Sequence, residues 1–157
     1  MAAELLVNYH DLDLSRIAVS REEIDALIPQ TGAMRQVDHL AWVDDGRSSC
    51  VGVRSVRDDE FWVPGHIPGR PIFPGVLMIE AAAQTSAVLY RLRTGNSRFI
   101  GFIRLDDVAF RGQVVPGDTF HIIVAEREVT LRRFVTVCQT VLNGKLIFEG
   151  AITGMPV

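Results

Sequence analysis

Residues 61–92 read FWVPGHIPGRPIFPGVLMIEAAAQTSAVLYRL, and they join a shaped loop to a long helix. The first fifteen residues contain four prolines and three glycines, a composition that excludes a continuous helix or a central strand. Residues 76–92 are rich in helix formers, and Gly95 follows them in the position of a C-terminal cap. Because most sides of this helix are apolar or small, we expect other structure to surround it.

Segments that favour β-strands lie on both sides of this loop and helix. Before them, residues 39–56 form two such runs around Asp45-Gly46, a dipeptide suited to the positive φ angles of a tight hairpin turn. After them, Pro116-Gly117 and Asn143-Gly144 predict turns between strands. The strand-favouring runs there are residues 97–105, 118–129, 132–143 and 145–153. This order predicts an α+β fold in which a long curved antiparallel β-sheet wraps around one central helix, with the last strands forming a meander.

The domain is expected to span residues 21–157, after an N-terminal extension at 1–20. Ser20 and Glu23 resemble a capping box that opens a short helix, and Pro29 would stop it. A chain of 157 residues fits one domain of this kind.

Composition argues against several classes of function. The net charge is −3 and the basic residues are scattered, so no nucleic-acid partner is expected. Cys50 and Cys138 lie far apart without a companion at ligand spacing, which argues against a metal site and a disulfide framework. We expect no cofactor, since no phosphate-binding glycine loop is present. Without a signal peptide or an apolar run of about 20 residues, the interpretation is a cytoplasmic protein with no membrane span.

Four residues of the loop and helix could carry chemistry: His66, Gly75, Glu80 and Gln84. A carboxylate on an apolar helix is costly to desolvate, so Glu80 needs a partner or a function. Gln84 lies one turn further along the same face, and together they predict a polar site. Burial would favour a neutral Glu80 able to donate a proton, while His66 in a wetter loop could act as a base. The Gly75 amide, at the positive end of the helix, could bind a carbonyl oxygen that gains negative charge.

The central motif GHIPGRPIFPGVLMIEAAAQ resembles that of the 3-hydroxyacyl-acyl-carrier-protein dehydratases of bacterial type II fatty acid synthesis. That family has a Gly-His-Phe-Pro loop, a Pro-Gly turn and a Glu-Ala-x-x-Gln helix at the same spacing. The upstream runs IDALIP and VDHL and the downstream run DDVAFRGQVVPGD extend the resemblance from about residue 24 to the C-terminus.

The resemblance implies the hotdog fold and the conversion of a (3R)-3-hydroxyacyl thioester into a trans-2-enoyl thioester. It implies that His66 takes the α-proton, that Glu80 protonates the departing hydroxyl, and that the Gly75 amide polarises the thioester carbonyl. A related group that also isomerises carries Asp at position 80, so Glu favours the plain dehydratase. Neighbouring residues of the motif are expected to contact the substrate: Gln84, Ile67, Pro68, Phe73 and Val76.

The resemblance also implies partners. Each site is expected to combine His from one subunit with Glu from the other in a homodimer, and a trimer of dimers is the larger assembly. An acyl-carrier protein would deliver the substrate on its phosphopantetheine arm. Because such carriers are acidic, Arg70, Arg104 and Arg111 are the candidate docking residues.

Some residues depart from the family pattern, and two other functions stay open. Ile67 stands in place of the usual Phe, Phe73 in place of a usual Met, and residues 30–33 are Gln-Thr-Gly-Ala where the family commonly has His-Arg. The alternatives are a hotdog acyl-CoA thioesterase, which would not need the Gly-His-x-Pro loop, and a non-catalytic acyl-binding or assembly subunit.

Overall fold

The computed structural model describes residues 4–157 and shows one six-stranded antiparallel sheet packed against a long helix. In chain order the regular elements are α1 Arg21–Leu27, β1 His39–Val43, β2 Ser49–Ser55, α2 Gly75–Thr94, β3 Ile100–Phe110, β4 Thr119–Val129, β5 Phe134–Leu142 and β6 Lys145–Pro156. Short 3-10 helices at Tyr9–Asp11 and Gly32–Met34 complete them. This architecture confirms the predicted α+β class.

Helix α2 lies against the inner face of the sheet. It packs against β2, β4, β5, β6 and β3, and its middle residues are almost entirely buried. The backbone of β2 approaches the helix closely, since a Cβ at Gly52 would lie 3.1 Å from the hydroxyl oxygen of Thr85. The helix ends as predicted, because Gly95 adopts the left-handed conformation and its N–H bonds to the Arg91 carbonyl.

The sheet order is β1-β2-β4-β5-β6-β3. The predicted meander is therefore correct for β4, β5 and β6 but wrong for β3, which pairs with β6 at the far edge. The eight residues 111–118 are too long for a tight hairpin, and they cross one end of the sheet instead. On the way Arg111 N–H bonds to Ile147, the Val114 carbonyl accepts from Phe73, and Gly117 N–H bonds to Val56 at the end of β2.

The two predicted hairpin turns differ in their geometry. Asn143-Gly144 joins β5 to β6 with positive φ at both residues, as predicted. The turn between β1 and β2 is wider, and its positive φ lies at Arg47 instead of Asp45-Gly46. The Asp44 carboxylate stabilises this wider turn by accepting bonds from the amides of Ser48 and Ser49, at 2.7 and 2.6 Å.

The N-terminal segment packs on the outer face of the sheet. Its apolar residues form a second cluster with Val51, Ile123 and Val141. The Tyr9 hydroxyl lies 2.8 Å from Nδ1 of His121. The capping box that opens α1 is present as predicted, with the Ser20 hydroxyl accepting from Glu23 N–H and the Glu23 carboxylate accepting from Ser20 N–H. The division into an extension at 1–20 and a domain at 21–157 stays a prediction; residues 1–3 lie outside the described part.

Candidate active site

His66 sits in the exposed loop between β2 and α2, where its ring is held at one nitrogen. Nδ1 lies 2.7 Å from the carbonyl oxygen of Ile72. A carbonyl oxygen only accepts, so Nδ1 must carry the hydrogen and, in the neutral ring, Nε2 keeps its lone pair. The His66 backbone N–H bonds to the Trp62 carbonyl at 2.8 Å, which fixes the loop on its other side. The ring is therefore set up to accept a proton at Nε2.

Gly75 begins helix α2, directly after Pro74 at the N-cap. The first amides of a helix have no partner inside it and point along the positive end of its dipole. A Cβ at this position would lie 2.9 Å from Cε1 of Phe110 on β3, so there is little room for a side chain. This close contact with the Phe110 ring accounts for a glycine at position 75.

Glu80 and Gln84 occupy one face of α2, as their spacing predicts. Nε2 of Gln84 donates to Oε1 of Glu80 at 2.7 Å and to the carbonyl of Met34 at 2.6 Å. Oε1 of Gln84 accepts from the Gln36 backbone N–H at 2.8 Å. Gln84 is buried and fully engaged in these bonds, while Glu80 is only half-buried. The carboxyl group of Glu80 is therefore oriented by Gln84.

A cavity of about 190 Å³ opens beside Glu80. Its walls include Ala83 and Ala87 of the helix and Phe99 to Phe102 at the start of β3. His66 is not among its lining residues, and within residues 4–157 no hydrogen bond joins His66 to Glu80. Glu80 therefore borders this cavity without a hydrogen bond to the His66 of its own chain.

Comparison with known proteins places this architecture and motif in one family. The FabA-like domain matches residues 28–151. The chain belongs to the FabA-like family. The 3-hydroxyacyl-[acyl-carrier-protein] dehydratase FabZ of Sinorhizobium fredii is 34% identical over 137 residues, covering 85% of this chain and 87% of the relative. FabZ of Pelotomaculum thermopropionicum is 42% identical over 103 residues, covering 65% of this chain and 73% of that protein. The resemblance predicted from the sequence is thus confirmed.

A solved structure agrees with the fold. The dehydratase heterocomplex ApeI:P from Xenorhabdus doucetiae aligns with a TM-score of 0.72 at 15% identity, covering 85% of this chain and 90% of that one. At this identity the likeness concerns the fold alone, and it supports the predicted hotdog arrangement.

The other motif residues of this FabA-like chain fall into two groups. Ile67, Pro68 and Val76 are exposed around the loop and the helix start. Phe73 is buried, with its ring packed edge-on against Trp62 and Phe120. Their predicted contacts with substrate, and that of Gln84, stay predictions.

Three buried polar residues near the site escaped the sequence analysis: Gln36, Arg54 and Glu60. Arg54 donates to the Glu60 carboxylate at 2.6 Å, with both side chains about 95% buried. Burial alone would raise the pKa of Glu60, but hydrogen bonds from the Arg57 amide, Arg54 and Trp62 outweigh it and hold that pKa below its usual value. The sequence did contain a signal for Arg54. Side chains at every second position of a strand share one face, and Cys50, Gly52 and Arg54 follow this spacing on β2, so Arg54 should face the core.

Other features of the described residues add no site. Cys50 and Cys138 are buried free thiols, and burial raises the pKa of Cys138 to about 11. Between residues 4 and 157 no three His, Cys, Asp or Glu side chains are grouped to hold a metal ion. None of the helices in that range has the length and apolar character to cross a membrane.

Proposed function

We propose that this protein dehydrates (3R)-3-hydroxyacyl thioesters to trans-2-enoyl thioesters in fatty acid synthesis. The observation that carries the proposal is the state of His66, whose Nδ1 is bound to the Ile72 carbonyl so that Nε2 is available as a base. The carboxyl group of Glu80 supplies the second proton-transfer group, oriented by Gln84 beside a cavity. Family membership adds support, since the FabZ relatives are named for this reaction.

His66 and Glu80 together account for both proton transfers of the dehydration. Nε2 of His66 removes the proton from C2, and the electron pair of that bond forms the C2–C3 double bond. Glu80 in its neutral form gives its proton to the 3-hydroxyl group, which leaves C3 as water. The Gly75 amide would stabilise the negative charge that grows on the thioester oxygen during proton removal. The proton on His66 then returns to Glu80 through solvent, which restores both groups.

A homodimer with shared sites is part of the proposal. Strand β3 lies at the sheet edge, and its side chains Phe102, Ile103, Leu105 and Phe110 are 42–53% exposed. An exposed apolar edge strand is a template for pairing with another chain. The same strand lines the Glu80 cavity, so a second copy paired there would lie next to Glu80 and could bring its own His66. A trimer of dimers and a cytoplasmic location belong to the proposal as further expectations.

The substrate would arrive on an acyl-carrier protein, as the names of the FabZ relatives state for those enzymes. Of the three arginines predicted to dock it, Arg104 donates to Asp106 at 2.7 Å and Arg111 to Glu149 at 2.9 Å. Arg70 is exposed at the tip of the His66 loop, and no ion pair to it is found within residues 4–157. Arg70 is therefore the strongest docking candidate.

The test is an assay of the purified protein with a 3-hydroxyacyl thioester. We expect the ultraviolet absorbance of a conjugated enoyl thioester to appear, and His66→Ala or Glu80→Gln to slow it by roughly a hundred- to ten-thousand-fold. His10→Ala and Glu22→Gln, at exposed positions outside the site, are the matched controls. Release of free thiol without enoyl product would identify a thioesterase, and the absence of both products would favour a non-catalytic subunit. Either result would overturn the proposal.

A further inference from the structure

A buried chain of hydrogen bonds runs from Glu80 to the base of the His66 loop within one subunit. It starts with the Gln84 amide on Glu80 and continues from Gln84 Oε1 to the Gln36 backbone. The side-chain oxygen of Gln36 accepts from Arg54, with Nη2 at 3.2 Å and Nε at 3.4 Å. Nη2 of Arg54 also donates to Oε2 of Glu60 at 2.6 Å.

Glu60 connects this chain to the loop itself. Its Oε2 accepts from Nε1 of Trp62 at 2.8 Å, and its Oε1 accepts from the Arg57 backbone N–H at 2.8 Å. The carbonyl of Trp62 in turn accepts the backbone N–H of His66 at 2.8 Å. One carboxylate thus fixes the start of the segment that carries the catalytic ring.

The burial of the Arg54–Glu60 pair indicates that the pair serves to orient neighbouring groups more than to stabilise the fold. Both residues are at least 93% buried, and taking two charges out of water consumes much of what their attraction supplies. Apolar side chains of similar volume would often stabilise a core equally well. Hydrogen bonds are directional, so a buried pair that is fully hydrogen-bonded fixes the positions of its partners. Apolar contacts are not directional and would fix them less strictly.

We propose that Arg54 and Glu60 are positioning residues that hold the His66 loop and the Gln84–Glu80 pair in one rigid unit. The inference rests on the proposed dehydratase function and deepens it. Proton transfer requires heavy atoms within hydrogen-bond reach, and a misplacement of about 1 Å costs up to about a hundredfold in rate. Arg54 and Glu60 act through His66 and Glu80, since neither lines the Glu80 cavity.

The test uses Glu60→Gln and the double variant Arg54→Met/Glu60→Gln in the full-length protein. Glu60→Gln leaves a buried arginine charge unpaired and will lower the melting temperature. The double variant removes both charges, so its melting temperature should recover toward the wild-type value. We expect turnover in both variants to fall by about tenfold to a hundredfold, with KM changed far less than kcat. Asp59→Asn is the matched control, because the Arg57–Asp59 pair lies in the same loop but is 63–70% exposed.

A second measurement separates positioning from general stability. In a His66→Ala/Glu80→Gln background both positioned groups are gone, so adding Glu60→Gln should change the residual turnover by less than about twofold. A purely structural role would instead lower turnover by the same factor in both backgrounds. Equal losses in the two backgrounds, or wild-type turnover in the folded double variant, would overturn the positioning role.

The activity of the wild-type protein in the same assay distinguishes a failure of the positioning role from a failure of the proposed dehydratase function. An active wild type with unimpaired Glu60→Gln overturns the positioning role alone. A folded wild type that forms no enoyl product overturns the dehydratase function and the positioning role with it.

Discussion

Two carbonyl groups of its own loop fix the tautomer and the position of His66. The Ile72 carbonyl holds the hydrogen on Nδ1, and the Trp62 carbonyl holds the backbone. Between His66 and Ile72 the chain turns back, with the Arg70 N–H bonded to the Ile67 carbonyl and Gly69 at a φ of 79° that only glycine adopts readily. The prolines and glycines of the loop therefore serve to aim a ring nitrogen, in addition to excluding regular structure.

The charge of Arg70 can be tested for a role in docking the carrier. Reversing its charge with Arg70→Glu should lower kcat/KM for a carrier-bound substrate by about threefold to tenfold, because an acidic carrier would be repelled from the site entrance. The loss should shrink as salt is added, since the interaction is exposed. A short pantetheine-bound substrate lacks the carrier's charge and should react at the wild-type rate.

The control for this measurement is Arg132→Glu, an exposed change in the turn between β4 and β5. It should leave both substrates unaffected. If Arg70→Glu slowed the two substrates equally, the arginine would act on the loop and not on the carrier.

The residues of the motif could be predicted from the sequence, but the residues that support them could not. His66, Gly75, Glu80 and Gln84 lie within twenty residues, and their spacing alone brings Glu80 and Gln84 to one face of α2. Gln36 precedes β1, Arg54 lies on β2 and Glu60 follows it, and the folded chain brings their side chains into one set of hydrogen bonds. The strand period places Arg54 toward the core, but no local pattern identifies Gln36 and Glu60 as its partners.

Among the elements, α2 and β3 differ in how far local sequence determines them. Helix α2 was predicted nearly to its ends, because Pro74 and Gly95 mark its boundaries locally. The predicted strand at 97–105 is longer in the structure and continues through a bulge at Asp106 and Asp107 to Phe110. Its pairing with β6 joins residues 38 to 56 positions apart, which strand propensity does not encode.

The exposed edge of β3 can be tested as the proposed dimer interface. Ile103 is 53% exposed at this edge, and Ile103→Glu would place a charge where we propose that two subunits pair. We expect light scattering coupled to size exclusion to show a dimer for the wild-type protein and a shift toward monomer for the variant. Dehydration should fall together with the dimer fraction.

The matched control for Ile103→Glu is Leu131→Glu. Leu131 is 70% exposed in the turn between β4 and β5, so the same charge there should leave assembly and turnover unchanged. A fully dimeric Ile103→Glu protein would show that β3 is not the interface.

In the whole molecule, the two halves of the proposed site lie on neighbouring segments: Glu80 on helix α2 and His66 on the loop that precedes this helix. The central helix presents Glu80 to a cavity bounded by β3, while His66 lies exposed outside that cavity. No hydrogen bond joins His66 to Glu80 within residues 4–157 of one chain. In the proposed dimer, two chains joined at β3 would supply both groups twice, and this pairing would cover the exposed apolar edge of that strand.

Mixing two inactive variants tests whether His66 of one subunit works with Glu80 of the other. A heterodimer of His66→Ala and Glu80→Gln subunits contains one site with both intact residues and one with neither. After subunit exchange, and isolation of the heterodimer with two affinity tags, we predict about half of the wild-type turnover per dimer. A verified heterodimer that stays as inactive as its parents would contradict the claim and place both residues within a single chain's site.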